Sequence, residues 1–237
     1  MEAHKHHYAE YYGTAQLARW RELGARDKAA NIMALWRAVG QVQPPKVIDI
    51  GCGDGAVIWE LGRRGFGDNY VGYEISDSGI RYANSQTYAK STRFELFNGE
   101  SLPADDNSFD LAILSHVIEH VESPRPLLKE AARVAKFVFV EVPLELTVRT
   151  PHDFHWTNVG HINLYNPLLI RHLVQSVGLT VLSERVTCQS LPVFTFQRPG
   201  IRGAMTWMVK AISLKVAPWL ARRLWTYHGA LIAQERA

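Results

Sequence analysis

Three glycines alternate with other residues directly after a short apolar run. Gly51, Gly53 and Gly55 follow the segment Lys46–Ile50, and Asp49 lies one residue before the end of that segment. Glycine permits positive backbone φ angles and lets a ligand approach the main chain closely. We therefore expect a tight turn that accepts a ligand, with Asp49 either orienting the turn or reaching a charged end of the ligand.

A carboxylate follows the glycine cluster at a spacing along the sequence that suits ribose binding. Glu74 ends the next apolar run, 23 residues after Gly51. A carboxylate in this place can accept hydrogen bonds from both ribose hydroxyls, and it would repel a 2′-phosphate. The cluster has the pattern D-x-G-x-G-x-G, whereas dinucleotide sites favour G-x-G-x-x-G. The two features together predict a nucleoside ligand, and the alternative is a glycine turn that binds nothing.

These residues need elements that place them at one edge of a sheet. Apolar runs that predict strands alternate with stretches that predict helices, which indicates an α/β fold with a doubly wound, mostly parallel sheet. In such sheets ligands bind beyond the carboxyl ends of the strands. The predicted strands are 46–50, 70–74, 93–97, 109–114, 136–142, 179–186 and 227–233. The predicted helices are 8–40 with an interruption at Gly24, 56–64, 77–90, 124–135 and 166–177.

Three linked segments resemble class I S-adenosylmethionine (SAM)-dependent methyltransferases. VIDIGCGDG resembles their motif I, YVGYEIS resembles the acidic-loop motif, and FNGESLPADDNSFDLAILSHVIEHV resembles a stretch of the small-molecule "type 11" branch. The resemblance runs from about residue 45 to 186 in order and spacing. It implies a Rossmann-like sheet of seven strands with the last one antiparallel, and an enzyme that uses SAM and releases S-adenosylhomocysteine (SAH). It also suggests an N-terminal helical arm over 1–44, a SAM-binding domain over 45–237 and a helical lid insertion over 199–225.

The resemblance also implies a role for each aligned residue. Gly51 and Gly53 would pack against the methionine part of SAM, with Asp49 near its amino group. Glu74 would take the ribose hydroxyls, and the Asn98 amide oxygen would accept from the adenine amino group. The full set of implied cofactor-binding residues is Asp49, Gly51, Cys52, Gly53, Glu74, Ile75, Asn98, Gly99, Glu100, Ser115 and His116.

A histidine-rich segment follows the fourth predicted strand. His116, Glu119 and His120 are spaced i, i+3 and i+4, and they resemble the E-x-x-E-H of metal-assisted methyltransferases that act in ubiquinone synthesis or on small RNAs. His116 replaces the first glutamate, which disfavours Mg²⁺ and leaves Zn²⁺, Mn²⁺ or Fe²⁺ as candidates. We expect no metal, and we expect these histidines to pack against the sheet or to act in catalysis.

Further histidines follow the fifth predicted strand, where an acceptor would bind. They are His152, His155 and His161. A histidine with an ordinary pKa of about 6.5 can act as a general base near neutral pH. His161 is the preferred base, and His116 and His120 are further catalytic candidates.

The segment before the last strand is basic and amphipathic. It contains seven Arg or Lys residues and no acidic residue between Glu184 and Glu235. One predicted helical face carries Ile201, Met205, Met208, Val209, Ile212 and Val216, with Lys210, Ser213 and Lys215 largely off it. Pro218 predicts a break before a shorter helix. The segment 201–224 is expected to be a lid over an apolar acceptor, a membrane-surface contact, a packed cover or a homodimer contact.

Composition restricts the remaining alternatives. Cys52 and Cys188 form no disulfide framework, the first residues are polar and histidine-rich, and no apolar run approaches a membrane span. These features favour a cytoplasmic protein. With a net charge of only +3, the chain outside the basic segment is acidic, so nucleic-acid binding is not expected. The expected acceptor is a small molecule, and the alternatives are methylation of RNA or protein and a non-catalytic SAM- or SAH-binding module.

Overall fold

The structure, a computed structural model, describes residues 15–41, 46–152, 154 and 160–236. The first 14 residues of the predicted N-terminal arm, and His155 of the histidine-rich segment, lie outside these described residues.

Seven strands and eight helices form in the described ranges. The strands are β1 (Lys46–Ile50), β2 (Asn69–Glu74), β3 (Ser91–Leu96), β4 (Phe109–Ser115), β5 (Ala135–Leu144), β6 (Leu179–Thr187) and β7 (Tyr227–Glu235). The helices are α1 (Ala15–Ala38), α2 (Ala56–Arg63), α3 (Asp77–Asn84), α4 (Pro124–Val134), α5 (Pro167–Gln175), α6 (Leu191–Gln197), α7 (Ile201–Val216) and α8 (Pro218–Leu224).

All seven strands join one sheet in the order β3-β2-β1-β4-β5-β7-β6. The pairs among β1 to β5 are parallel, and β7 is antiparallel to both of its neighbours. The chain moves outward from β1 to β3 and then returns to β4 on the other side of β1, so the strand order reverses between β1 and β4. The predicted seven-stranded sheet with an antiparallel last strand is confirmed.

Helices cover both faces of the sheet because side chains alternate along each buried strand. In β5, Val138 and Val140 pack in one core cluster while Phe139 packs in the other. The first cluster includes buried residues of α4 and α5, and the second includes those of α1 and α2. The sheet is therefore doubly wound, as the alternating elements predict.

Several predicted boundaries were wrong. The first helix continues without a break through Gly24, because α1 buries residues such as Ile32 and Trp36 against the sheet, and this burial outweighs a glycine penalty of about 1 kcal/mol. The third helix ends at Asn84 rather than near residue 90, and α6 was not predicted. The domain boundary between residues 44 and 45 stays a prediction.

The insertion before β7 consists of α6, α7 and α8, and Pro218 starts α8 as expected. The expectation of a packed cover was wrong for the apolar stripe of α7, which faces outward. Among the described residues, none of the helices combines the length and the apolar character that crossing a bilayer requires.

Candidate active site

A cavity of about 1830 Å³ lies beyond the carboxyl ends of the central strands. The end of β1 and the turn after it, the end of β2, the end of β4 and the segment after β5 form its walls, and the N-terminal half of α1 covers it. Every predicted cofactor-binding residue lines this cavity, and so do His116, His120 and His161. The sequence therefore identified residues that the fold brings together.

The glycine turn has the geometry that its composition predicts. Gly51, Gly53 and Gly55 have φ angles of 75°, 57° and 76°, which favour glycine. A Cβ atom on Gly51 would lie 2.6 Å from Cγ2 of Val117, so a side chain there would collide with the loop after β4. The turn is therefore open to a ligand only because these residues lack side chains.

Glu74 is buried at the end of β2, and its carboxylate is held by the main chain. One oxygen accepts from the Gly53 amide at 2.9 Å, and the other accepts from the amides of Ile75 and Ser76 at 2.8 and 2.9 Å. Burial raises the pKa of Glu74, and the three backbone hydrogen bonds oppose that shift. The carboxylate links the glycine turn to the loop after β2, which fixes the two cavity walls relative to each other.

Asp49 is a buried carboxyl group near the end of β1, just before the glycine turn. It is 2% exposed, and its Oδ2 atom has no hydrogen-bond partner among the described residues. Burial raises its pKa to about 7, although Lys28 acts in the opposite direction. A buried carboxylate without a partner is unfavourable, so Asp49 is suited to a cationic ligand group in the cavity.

The wall beyond β2 and β3 is more apolar. Ile75 remains 38% exposed and approaches Gly99, whose added Cβ would lie 3.5 Å from Cγ2 of Ile75. The Oδ1 atom of Asn98 accepts from the Glu100 and Ser101 amides at 2.9 and 3.0 Å. The expected role of that oxygen is therefore revised, because both lone pairs are used within the loop and the amide Nδ2 is the group left to face a ligand.

A second group of polar residues lies where β4, β5 and β7 meet. Glu141 is fully buried and accepts from Asn31 Nδ2 at 2.7 Å and from Ser115 Oγ at 3.2 Å. His228 Nδ1 lies 3.6 Å from the same carboxylate. Burial acts to raise the pKa of Glu141, but the adjacent His228, together with Lys28, outweighs burial and lowers the pKa to about 2. Glu141 is therefore an anion beneath the floor of the cavity.

His116 lies between these groups in a backbone conformation that is unusual for its type. Its φ is 60°, a region that non-glycine residues seldom occupy. Its ring is 4.7 Å from that of His228, and its Nε2 atom is buried without a hydrogen-bond partner among the described residues. Burial lowers its pKa well below the ordinary value, so His116 is neutral and unsuited to carry a charge.

His161 forms the clearest acid–base pair in the cavity. Its Nδ1 atom lies 2.6 Å from Oε2 of Glu145, a residue that follows β5 directly. Burial lowers the pKa of His161, but the hydrogen bond and charge of Glu145 outweigh burial and raise it. A carboxylate that orients one ring nitrogen leaves the other ring nitrogen to exchange protons with a substrate.

Two sets of three residues place possible metal ligands within 4.8 Å of one another. They are His116, Glu141 and His228, and Glu119, His120 and His161. His120 Nδ1 contacts the Gly160 carbonyl at 2.8 Å, and burial lowers its pKa. Burial raises the pKa of Glu119, whose Oε1 atom lies 3.2 Å from Nδ1 of His116. The three candidate metal residues predicted from the sequence are thus shared between the two sets, and the contact between His116 and Glu119 joins the sets.

Helix α1 closes the cavity through contacts with distant segments. Arg21 Nε lies 2.5 Å from Oδ2 of Asp54, and both side chains are at least nine-tenths buried. Asp27 accepts from the Ser190 amide at 2.7 Å. The helix is therefore attached to the glycine turn at one point and to the start of α6 at another.

Comparison with known proteins identifies the fold and its family. A family model described as "Methyltransferase domain" matches residues 17–184. The chain belongs to this methyltransferase-domain family. It is 36% identical over 121 residues to an uncharacterized methyltransferase of Mycobacterium sp. (strain JLS), a match that covers 50% of this chain and 46% of that protein. The chain thus spans about half the length of that curated relative.

Solved structures show the same fold at low sequence identity. The geranyl diphosphate C-methyltransferase of Streptomyces coelicolor A3(2), in complex with Mg²⁺, geranyl diphosphate and SAH, superposes with a TM-score of 0.64, at 17% identity over 87% of this chain and 78% of that one. The [4+2]-cyclase SpnF superposes with a TM-score of 0.63, at 16% identity over 88% of this chain and 82% of that one.

Sequence reasoning missed several polar residues that line or underlie the cavity of this methyltransferase domain, and four of them affect the charges of the site. Glu141 gave a usable signal, because a carboxylate within the apolar run of a central strand requires buried partners. The others needed the fold, since their contacts join segments far apart in sequence. The four residues are Lys28, Glu141, Glu145 and His228.

Proposed function

We propose that this protein is a SAM-dependent methyltransferase whose acceptor is a small molecule with an ionisable O–H or N–H group. The observation that carries the proposal is that one cavity contains both the Asp49–Glu74 wall and the His161–Glu145 pair. The Asp49–Glu74 wall is suited to bind the nucleoside and amino-acid parts of SAM, and the His161–Glu145 pair is suited to remove a proton from the acceptor.

The cofactor would lie along the carboxyl ends of β1, β2 and β4. Oδ2 of Asp49, which has no hydrogen-bond partner among the described residues, would bind the ammonium group of the methionine part, and the turn at Gly51 provides space that a Cβ atom would fill. Glu74 would accept from a ribose hydroxyl at Oε2, the oxygen that accepts only one backbone hydrogen bond, and Ile75 would contact one face of the adenine. When bound, SAM supplies an electrophilic methyl group on a sulfonium and leaves as SAH.

The acceptor would lie between the cofactor wall and the segment after β5. His161 would take the acceptor proton at the ring nitrogen that does not contact Glu145, and the carboxylate would stabilise the resulting imidazolium. The deprotonated oxygen or nitrogen of the acceptor would be the nucleophile for the methyl group that bound SAM would supply. Fixing both reactants within one cavity contributes most of the rate, as expected for a displacement that depends on positioning.

Two measurements separate this proposal from its alternatives. Titration calorimetry with SAH tests the cofactor site, and the absence of binding would refute the proposal. Transfer of label from methyl-labelled SAM is then followed into the small-molecule, RNA and protein fractions of an extract. Label in the small-molecule fraction supports the proposal, label in the other fractions contradicts the acceptor class, and SAH binding without transfer indicates a non-catalytic module.

A further inference from the structure

Helix α7 presents its apolar residues to solvent. Six large apolar side chains of α7 are exposed. With about 100° of rotation per residue, they occupy an arc of about 100° on one side of the helix. Their exposed fractions range from 49% to 78%. The residues are Ile201, Met205, Met208, Val209, Ile212 and Val216. Together with Trp219 and Leu220 of α8, which are 66% and 40% exposed, they form what we call the α7–α8 surface.

The opposite side of α7 carries both polar and apolar residues and is fixed against the protein. Lys210 is buried there, with its ammonium group 5.3 Å from the ring centres of Phe194 and Tyr227. The Tyr227 hydroxyl donates to the Lys210 carbonyl at 2.8 Å, and Trp207 Nε1 donates to the Gln189 carbonyl at 2.8 Å. These contacts set the rotation of the helix, so the outward direction of the apolar stripe is specified by its inner side.

Glycine on the inner side enforces the same rotation. A Cβ atom on Gly203 would lie 1.8 Å from the Arg198 carbonyl oxygen. Only glycine allows the helix to approach the preceding segment this closely. A cover helix normally turns its apolar stripe inward, whereas α7 buries a glycine and a lysine and exposes the stripe.

Basic residues border the apolar stripe on both sides. At about 100° per residue, Arg202 and Lys215 fall at the two edges of the arc, and both are exposed. Arg222 and Arg223 are exposed on α8, where Arg223 lies 6.0 Å from the ring centre of Trp219. The chain has no acidic residue between Glu184 and Glu235, so no carboxylate of this segment neutralises these cations.

We propose that the α7–α8 surface docks on the surface of an anionic lipid bilayer. An apolar face bordered by Lys and Arg and carrying Trp is suited to the boundary between headgroups and acyl chains. The long basic side chains can reach lipid phosphates while their stems lie along the apolar face. A second copy of the chain is a poorer occupant, because a two-fold contact through the same surface would bring the same cations together without acidic partners.

The docking surface and the cavity share the same helices. Thr206 and Lys210 of α7 and Leu224 of α8 line the cavity from the inner side. Lipid contact on the outer side would therefore occur next to the cavity wall. The proposal itself concerns binding to lipid and does not depend on methyl transfer.

Co-sedimentation of the full chain with vesicles tests the proposal. The vesicles contain either phosphatidylcholine alone or equal parts of phosphatidylcholine and phosphatidylglycerol. We expect binding at least tenfold tighter to the anionic vesicles, and weaker binding in high salt. Val209→Asp combined with Ile212→Asp should abolish binding, and Arg202→Glu combined with Lys215→Glu should weaken it at least tenfold.

Matched variants elsewhere control for general changes of charge and hydrophobicity. Leu168→Asp replaces a leucine that is 64% exposed on α5, and Lys129→Glu replaces an exposed lysine on α4. Both should bind vesicles like the unmodified protein, and circular dichroism verifies that every variant is folded. Equal binding to both vesicle types, or equal loss in the control variants, would overturn the proposal. A dimer that Val209→Asp and Ile212→Asp dissociate, without vesicle binding, would assign the surface to a second copy instead.

Discussion

Asn31 of α1 donates a hydrogen bond of 2.7 Å from Nδ2 to Oε1 of Glu141 in β5, and both side chains are buried. Thr187 at the end of β6 lies within 3.2 Å of the same Asn31 amide nitrogen. One side chain therefore joins the covering helix to two strands of the sheet. The contact also places α1 over the cavity, since Lys28 and Gly24 of the same helix line it.

Replacing Asn31 by Ala should destabilise the fold by about 1.5–3 kcal/mol, the range for a lost hydrogen bond to a buried charged group. Because the pKa of Glu141 is lowered to about 2, the carboxylate is ionised throughout pH 5–8, and the loss should be constant over that range. Urea denaturation at several pH values measures it. Asn84→Ala, at an exposed position, should change stability by less than about 0.5 kcal/mol. A loss that disappears at pH 5 would contradict this account of Glu141.

Changes in the His161–Glu145 pair should alter catalysis more than cofactor binding. His161→Asn should lower kcat by about 10²–10⁴-fold, the usual contribution of a general base. SAH affinity should change little, because His161 lies on the acceptor side in our proposal. The exposed His172→Asn on α5 is the matched control and should leave kcat unchanged. An unaffected kcat in His161→Asn would exclude His161 as the base.

Glu145→Gln gives a readout that a purely structural role would not produce. The glutamine oxygen can still accept from His161, but the negative charge that raises the pKa of His161 is lost. The base must be unprotonated, so activity rises as pH passes its pKa. The acid limb of kcat/KM should therefore move to lower pH in Glu145→Gln, and an unmoved limb would count against the pair.

The sequence predicted the sheet and the cofactor wall because their signals are local. Alternating apolar strands specify a doubly wound sheet, and the glycines at 51, 53 and 55 specify positive φ angles that the structure shows. Asp49 and Glu74 each end or nearly end a strand, and parallel strands bring their carboxyl ends to one edge. The predicted cofactor-binding residues therefore line one cavity.

The acceptor side was less predictable because its pairs are distant in sequence. Glu145 contacts His161 across 16 residues, and Asn31 contacts Glu141 across 110. The direction in which the apolar stripe of α7 faces could not be predicted either. Sequence periodicity locates the stripe on the helix but does not show whether it faces the protein or the solvent. Gly203 and Lys210 determine that side through contacts with Arg198 and Tyr227, which only the fold brings together.

Gly51→Ala should disrupt the turn through two separate effects. A non-glycine residue at φ of 75° costs about 1–2 kcal/mol, and the new methyl group would collide with Val117. Gly65→Ala isolates the first effect, because Gly65 has φ of 69° and nothing within 4 Å of its added Cβ. Val117→Ala should relieve the second effect, so a double-mutant cycle should give a favourable coupling of about 0.5–3 kcal/mol. Additive losses would show that Val117 does not limit the turn.

Asp49 should make cofactor affinity depend on pH. Burial raises its pKa to about 7, so the free protein holds a neutral carboxyl group at pH 6, whereas an ammonium group binds best to the carboxylate. SAH binding should therefore release a proton at pH 6, and the Kd should rise by up to about tenfold per pH unit below pH 7. Calorimetry in two buffers of different ionisation enthalpy measures both quantities.

The same carboxyl group also gives a stability test that needs no ligand. A carboxyl group whose pKa is raised by folding favours its protonated form in the fold, so the fold loses stability as pH rises from the unfolded pKa towards 7. Asp49→Asn should remove that loss, raising Tm at pH 8 relative to the unmodified protein while weakening SAH binding and making it independent of pH. Asp68→Asn is the control, because it removes an exposed carboxylate that pairs with Lys90. This variant should retain the pH dependence of SAH binding. If Asp49→Asn retained that dependence as well, another group would have to bind the ammonium, and the assignment of Asp49 to the methionine end of the cofactor would be wrong.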